Sequence, residues 1–276
     1  MRKKSVFQRI AAAPHIFWMI TFIVVPMVFV VYFALTDGEG NFSLSNVLTL
    51  GQYADVFLLS IAFAFIATVV CLLIGYPLAY FMANSSPKAQ KIWLVLLMLP
   101  MWCNLLIRTY SLMALLDNGG ILNSFLESIG LEKLYIVGSG YGVILGMVYD
   151  FLPYMVLPIF TVMTKLDKRY IEAAQDLGCS KIKTVTKVVI PLTLSGIVSG
   201  ITMVFVPSIS TFYISQKLGA GKIDLIGDTI ERLFKNTATY NVGAMISLIM
   251  MVLIIISVGI MNKFSDEDKD GRGMII

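Results

Sequence analysis

The side chain best suited to bind a charged ligand is Asp150, because it lies inside a long apolar stretch. It stands nine residues after Tyr141, where that stretch begins. This is roughly 14 Å along a helix that rises about 1.5 Å per residue. Tyr149 and Tyr154 lie close to it in sequence, and a carboxylate beside aromatic faces suits an ammonium group. The alternative is structural: Asp150 is protonated, or it pairs with a cation such as Arg108 and holds helices together.

Further polar and aromatic side chains lie at membrane depth in other apolar stretches. Trp102, Asn104 and Tyr110 belong to the preceding stretch, and Tyr213 ends a later one. We expect these four to line a substrate pathway with the cluster around Asp150, although Trp102 and Tyr110 also suit the aromatic belt at a membrane surface. Asn104 is predicted to be buried and to need a partner. Arg108 is expected to snorkel to the outer surface or to have a structural role.

The composition excludes most other kinds of protein. Of the 276 residues, 58% are hydrophobic and 14% are charged, against about 45–50% and about 25% in soluble domains. A soluble enzyme, a disordered chain and a nucleic-acid binder are therefore excluded. The single histidine, His15, argues against a histidine-based catalytic or metal site, and three cysteines predict no disulfide framework. The composition predicts an all-α polytopic membrane protein with no catalytic residue and no metal.

Six apolar stretches are long enough to cross a bilayer, which takes about 20 residues. They are 14–35, 58–83, 92–116, 141–164, 189–213 and 240–261. We interpret residues 1–276 as one transmembrane domain with a disordered acidic tail at about 265–276. Of the 21 Lys and Arg residues, 15 fall on the side of the two termini and six on the other side. The positive-inside rule then predicts an inner-membrane protein with both termini in the cytoplasm.

The cytoplasmic segment at about 165–189 is predicted to form two short helices. Gly178 stands where a left-handed residue ends a helix over 168–177. In the second helix, 181–189, Ile182 and Val185 fall on one apolar face. This surface suits either anionic membrane lipid or a cytosolic partner, and the residue pattern alone does not choose between them.

The chain has no ATP-binding motif of its own. Residues 219–222 read GAGK, but Ile223 replaces the Ser or Thr of a P-loop and Gln216 replaces its first Gly. We predict that this segment and the glycine-rich residues 138–142 form turns on the outer side. The chain is expected to bind no cofactor.

The cytoplasmic segment resembles the EAA motif of ABC importer permeases. Glu172, Ala173 and Ala174 are followed after three residues by Gly178, and after nine more by VVIP at 188–191. The motif usually ends I-x-L-P, so Val and Ile are conservative departures. Other segments resemble the polyamine permeases of the PotB type: LIRTY at 106–110, GILN at 120–123, FLPYMVLP at 151–158, FYIS at 212–215 and LIG at 225–227.

The resemblance implies a type I ABC importer permease that moves spermidine or putrescine. It implies a cytosolic ATPase dimer that binds the ATP and Mg, a second, PotC-like permease and an extracytoplasmic polyamine-binding protein. It assigns ATPase coupling to Glu172, Ala173, Ala174 and Gly178, with Ile182 and Val185 on the docking face. Glu172 then pairs with a basic group of the partner, or else with Lys168 on its own helix.

Two other functions remain open from the residues. Thiamine and ferric-ion permeases share the EAA loop, so the loop does not select the cargo. A secondary transporter would work without an ATPase, and a membrane-embedded enzyme would need paired acids or an activated nucleophile within the spans, which the sequence does not offer.

Overall fold

The computed structural model describes residues 6–37 and 39–272, and their regular structure is helical apart from one isolated bridge between Thr36 and Phe42. Arg2, Lys3 and Lys4, which contribute to the predicted orientation, lie outside the described residues. The helices are α1 Val6–Met19, α2 Val25–Ala34, α3 Ser45–Leu48, α4 Ala54–Ala83, α5 Pro87–Trp102, α6 Leu105–Leu116, α7 Ile121–Ser128, α8 Gly140–Met163, α9 Arg169–Asp176, α10 Lys181–Thr184, α11 Ile190–Leu192, α12 Leu194–Ser210, α13 Tyr213–Leu218, α14 Ile226–Phe234 and α15 Tyr240–Arg272. Short π-helical segments (Ile20–Val24 and Val185–Val189) and 3₁₀ segments (Thr49–Tyr53 and Thr237–Thr239) complete the regular structure.

Four helical stretches are long and apolar enough to cross a membrane, and two bent pairs bring the total to as many as six. The four are Ala13–Ala34, Ser45–Ala83, Gly140–Met163 and Thr237–Met261. The pairs are Pro87–Trp102 with Leu105–Ser128, bent by 93°, and Lys181–Leu192 with Leu194–Ser210, bent by 70°. The fold class predicted from the sequence is confirmed, and the third and fifth predicted spans are bent.

The bend in the third span has a local cause. Pro100 cannot donate a backbone hydrogen bond, and Cys103 takes an extended conformation with ψ of 145°. The Asn104 side chain then accepts a hydrogen bond from the Leu106 amide at 2.8 Å and begins α6. This corrects the prediction that Asn104 is buried: its side chain is exposed and serves as a helix cap.

The chain divides into two compact units. One comprises the described residues of Met1–Ala54 with Thr229–Leu253, where the Asn46 side-chain amide donates to the Ala34 and Thr36 carbonyls at 3.1 and 3.0 Å. The other comprises Asp55–Asp228 with the described residues of Ile254–Ile276. In this second unit α12 packs along α8 around buried apolar side chains such as Met155 and Val204. All candidate site residues belong to the second unit.

The C-terminal helix reaches further than the sequence suggests. A disordered tail is predicted from Ser265, whereas α15 continues as a helix to Arg272. The rest of the predicted tail, 273–276, lies outside the described residues.

Candidate functional site

The centre of the second unit contains a buried ion pair between two of the predicted spans. Arg108 of α6 and Asp150 of α8 are 8% and 0% exposed, and Arg108 Nε lies 2.5 Å from Asp150 Oδ1. The Thr109 hydroxyl donates to Asp150 Oδ2 at 3.1 Å. Both carboxylate oxygens therefore have polar neighbours, as a charge in a low-dielectric site requires. The structure thus contains the pairing that the sequence left open as an alternative for Asp150.

Arg108 also stabilises the bend in the third span. Its Nη1 donates to the Pro100 carbonyl of α5 at 3.1 Å, and its Nη2 donates to the Asp150 carbonyl of α8 at 3.4 Å. One guanidinium group therefore joins α5, α6 and α8, a geometry that its planar fork of donors permits. Two roles were expected for Arg108, and the structural one applies. A buried side chain does not snorkel to the membrane surface.

The predicted pathway aromatics have different surroundings. The Arg108 guanidinium lies 5.8 Å from the centroid of the Tyr149 ring. Tyr154 lies 6.3 Å from the ring of Phe151 and lines an open groove of about 460 Å³ between α8 and α12, with Thr161 and Ser199. Trp102, at the end of α5, is 71% exposed.

Tyr110 and Tyr213 are brought together around a lysine. The Nζ atom of Lys217 lies 5.9 Å from the centroid of the Tyr110 ring and 5.6 Å from that of Tyr213. Both distances are within the range of cation–π attraction. Tyr213 and Lys217 are four residues apart on α13, so they share a face of that helix. The sequence pattern indicates the two tyrosines but not Lys217, because the meeting of the three side chains depends on how α13 packs against α6.

The segment at about 165–189, predicted to be cytoplasmic, forms the predicted pair of helices with a turn between them. Gly178 has φ of +80°, the left-handed conformation that ends α9, and its amide donates to the Gln175 carbonyl at 2.9 Å. The Ser180 hydroxyl then accepts from the Lys183 amide at 3.4 Å and begins α10. Glu172 and Ala173 are exposed on α9, whereas Ala174 is 9% exposed. Within the described residues Glu172 forms no ion pair with Lys168.

Burial increases along the predicted apolar face of the second helix. Ile182 is 78% exposed, Val185 is half-buried and Val189 is 1% exposed. The turn of the segment therefore exposes apolar side chains. Leu177, which is 86% exposed, is another of them. The segment around Gly221 forms a turn, as predicted, with φ of +72°, and so does Gly138 with φ of +81°. The rest of the predicted turn at 138–142 is wrong, because α8 begins at Gly140.

Two further polar contacts involve residues that the sequence pattern does not single out. Thr193, at the bend of the fifth span, is fully buried, and its Oγ1 lies 3.2 Å from the Tyr76 hydroxyl of α4. Asp228, 5% exposed, accepts from the Leu225 amide at 3.0 Å at the start of α14. Burial raises the pKa of this carboxyl above its ordinary value, and the hydrogen bond partly offsets the rise. Spacing in the sequence gives no signal for the contact between Thr193 and Tyr76, because the helices must pack before these partners meet, whereas the contact of Asp228 with Leu225 is local.

The described residues combine membrane-length helices, a buried polar pair between helices and an exposed helix–turn–helix, an arrangement that suits a membrane transport permease. Residues 75–268 match the family described as binding-protein-dependent transport system inner membrane component. The chain therefore belongs to this family, and it is a transport subunit rather than an enzyme.

Relatives and solved structures support the same assignment. The chain is 37% identical to the spermidine/putrescine transport system permease protein PotB of Salmonella typhimurium over 92% of each chain. It is 36% identical to the protein of that name from Haemophilus influenzae over 90% of each. A crystal structure of a bacterial alginate ABC transporter in complex with alginate pentasaccharide-bound periplasmic protein matches with a TM-score of 0.74 at 19% identity, over 94% of this chain and 93% of that one. The fold is thus that of an ABC transporter permease.

Proposed function

We propose that this chain is the permease subunit of an ABC importer for polyamines such as spermidine and putrescine. The observation that carries this proposal is the identity of 37% over 92% of the chain to a permease of that name. In the proposed complex a cytosolic ATPase dimer binds ATP and Mg, a second, PotC-like permease completes the pathway, and an extracytoplasmic protein delivers the cargo. Both termini lie in the cytoplasm, and the remaining surface of the spans faces membrane lipid.

The proposed ATPase contact is the exposed surface of the cytoplasmic segment. Leu177 and Ile182, at its turn, present apolar area that a globular partner can bury. Glu172 projects from α9 without an ion pair to the neighbouring Lys168, so its carboxylate is available to a basic group. Ala173 and Ala174 are small enough to permit close docking, and Gly178 provides the turn. Val185, half-buried, links this surface to the buried Val189.

The proposed cargo pathway runs past the aromatic side chains of the second unit. Tyr149, Tyr110 and Trp102 are 40%, 54% and 71% exposed, so their faces are open to a cation. A direct contact between cargo and Asp150 stays a prediction, and it requires the carboxylate to release Arg108. Asn104, exposed at the bend before α6, supplies a polar group near the start of that helix.

Uptake of radiolabelled spermidine by the reconstituted importer tests the cargo. We expect excess unlabelled putrescine or spermidine to suppress uptake, and thiamine and ferric ion to have no effect. Suppression by thiamine or ferric ion alone would overturn the polyamine assignment.

The same assay tests the coupling surface. We expect Glu172→Ala to reduce uptake and cargo-stimulated ATP hydrolysis at least several-fold, because the partner loses a charged contact. Glu132→Ala, which removes an equally exposed glutamate on a different loop, is the matched control and should retain both activities. Wild-type values of both activities in Glu172→Ala would contradict the proposed role.

A further inference from the structure

The short helix α13 is held firmly against two longer helices, so the position of Lys217 is well defined. Gly146 of α8 allows the close approach: a Cβ atom there would lie 2.8 Å from Ile214 and would collide with Leu218. The Leu218 carbonyl also accepts from the Gly138 amide at 2.7 Å. Because Ile214 and Leu218 are fully buried, Lys217 projects from a fixed helix toward α6.

The ammonium group of Lys217 is held by aromatic faces rather than by a carboxylate. It lies within 6 Å of the centroids of both Tyr110 and Tyr213. In the described part of the chain it forms no ion pair. Two ring faces from two different helices thus make a site for one alkylammonium group.

The occupant of this site has the chemistry of the proposed cargo. A lysine side chain is a four-carbon chain that ends in an ammonium group, and a linear polyamine ends in the same group on a chain of similar length. Tyr110 is 54% exposed, so the site is open to an incoming cation from one side.

We propose that Lys217 is a tethered competitor of the cargo: its ammonium group occupies the site between Tyr110 and Tyr213 until the alkylammonium end of a polyamine displaces it. This inference rests on the proposed function and deepens it. Cargo cannot bind while Lys217 occupies the site. The apparent affinity for cargo is therefore the intrinsic affinity multiplied by the fraction of time for which the site is free. The site therefore sets the cargo concentration at which transport begins and holds α13 against α6 when cargo is absent.

Kinetics of spermidine uptake by the reconstituted importer test this inference. Lys217→Met keeps the length of the side chain and removes its charge, and we expect it to lower KM by about fivefold to tenfold, the loss of two cation–π contacts. Lys217→Arg should keep the higher KM. Lys222→Met, which removes a lysine in the turn that follows α13, should leave KM unchanged.

Removal of both rings separates competition from simple charge repulsion. In a Tyr110→Leu, Tyr213→Leu background, Lys217→Met should cause no further change in KM. The same drop in KM with and without the rings would show repulsion and overturn the proposal, as would an unchanged KM in Lys217→Met itself.

A readout that needs no transport distinguishes failure of this inference from failure of the proposed function. With 3-fluorotyrosine at position 213, we expect the ¹⁹F resonance to shift in Lys217→Met, and n-butylammonium to shift it further in that variant at concentrations that leave wild type unchanged. Absence of spermidine uptake by wild type would refute the polyamine cargo, but the ¹⁹F titration would still decide the site. Equal responses of wild type and variant to n-butylammonium would refute the competition.

Discussion

At the scale of single residues, the buried pair of Arg108 and Asp150 dominates the energetics of the site. Removal of one partner leaves the other charge buried and unpaired, which costs about 3–5 kcal/mol. We therefore expect Asp150→Asn and Arg108→Met each to lower the midpoint of thermal unfolding of the complex markedly. The unfolding midpoint of the double variant should fall by much less than the sum of the two single shifts, because neither charge remains. Thermal denaturation of the four proteins measures this coupling.

The same variants decide whether Asp150 also contacts cargo. Tyr149→Phe is the control for stability, since it retains the ring beside Arg108 and changes no charge. If the carboxylate serves only the ion pair, both single variants lose activity in proportion to their loss of folded complex. A rise in the KM for spermidine in Asp150→Asn well above that in Arg108→Met would instead assign the carboxylate to the cargo.

At the scale of elements, the bend of the fifth span connects the cytoplasmic segment to the membrane helices. Thr193 donates from Oγ1 to the Val189 carbonyl at 2.8 Å and also meets the Tyr76 hydroxyl of α4. Thr193→Val keeps the shape of the side chain but leaves the Tyr76 hydroxyl without its hydrogen-bond partner. This lowers stability by about 1–3 kcal/mol if no water reaches the hydroxyl. We expect cargo uptake per ATP hydrolysed to fall several-fold, because the helix that carries the cytoplasmic segment loses a fixed position.

A matched substitution provides the control for this prediction. Thr161 of α8 is exposed, and its hydroxyl donates only to its own helix, at the Leu157 carbonyl. Thr161→Val makes the same chemical change without a contact between helices, and it should leave coupling intact. Equal coupling in both variants would show that the contact between Thr193 and Tyr76 does not transmit motion.

The elements were largely predictable from the sequence, whereas their bends and partners were not. Apolar length locates the spans, and Gly178 with Ser180 predicts the break in the cytoplasmic segment, because these signals are local. The 93° bend at Cys103 and Asn104 was missed, since proline is common in membrane helices and does not predict an angle. That bend brings Arg108 onto Asp150, so the sequence identified both residues of the pair but did not establish that they meet.

At the scale of the whole molecule, the number of crossings determines which side of the membrane each loop faces. If the two bent pairs both cross, the six spans place α9 on the side of the termini and the segment before α8 on the opposite side. If neither pair crosses, four spans remain, the termini still share a side, and α9 moves to the outside. A cytosolic ATPase can reach the exposed Glu172 only in the first arrangement. The proposed coupling therefore requires the third span to cross, and the proposed cytoplasmic location of both termini then requires the fifth span to cross as well.

Single cysteines in a background that lacks Cys71, Cys103 and Cys179 test this requirement. Glu132→Cys, Gln175→Cys and Lys222→Cys place exposed thiols before α8, on α9 and after α13. With six crossings, a membrane-impermeant maleimide added to intact cells should label positions 132 and 222 but not 175, and inverted vesicles should give the opposite pattern. Labelling of 175 and 222 together from outside, without 132, would indicate four crossings. Labelling of 132 alone, or of 175 alone, would indicate that only one pair crosses. The loop after the fifth span opposes the positive-inside rule, because it carries Lys217, Lys222, Arg232 and Lys235. Position 222 is therefore the most stringent test of the three. Its labelling from outside together with 132, and without 175, would show that the hydrophobic length of the bent pairs, rather than the charge of this loop, determines the orientation of the C-terminal half.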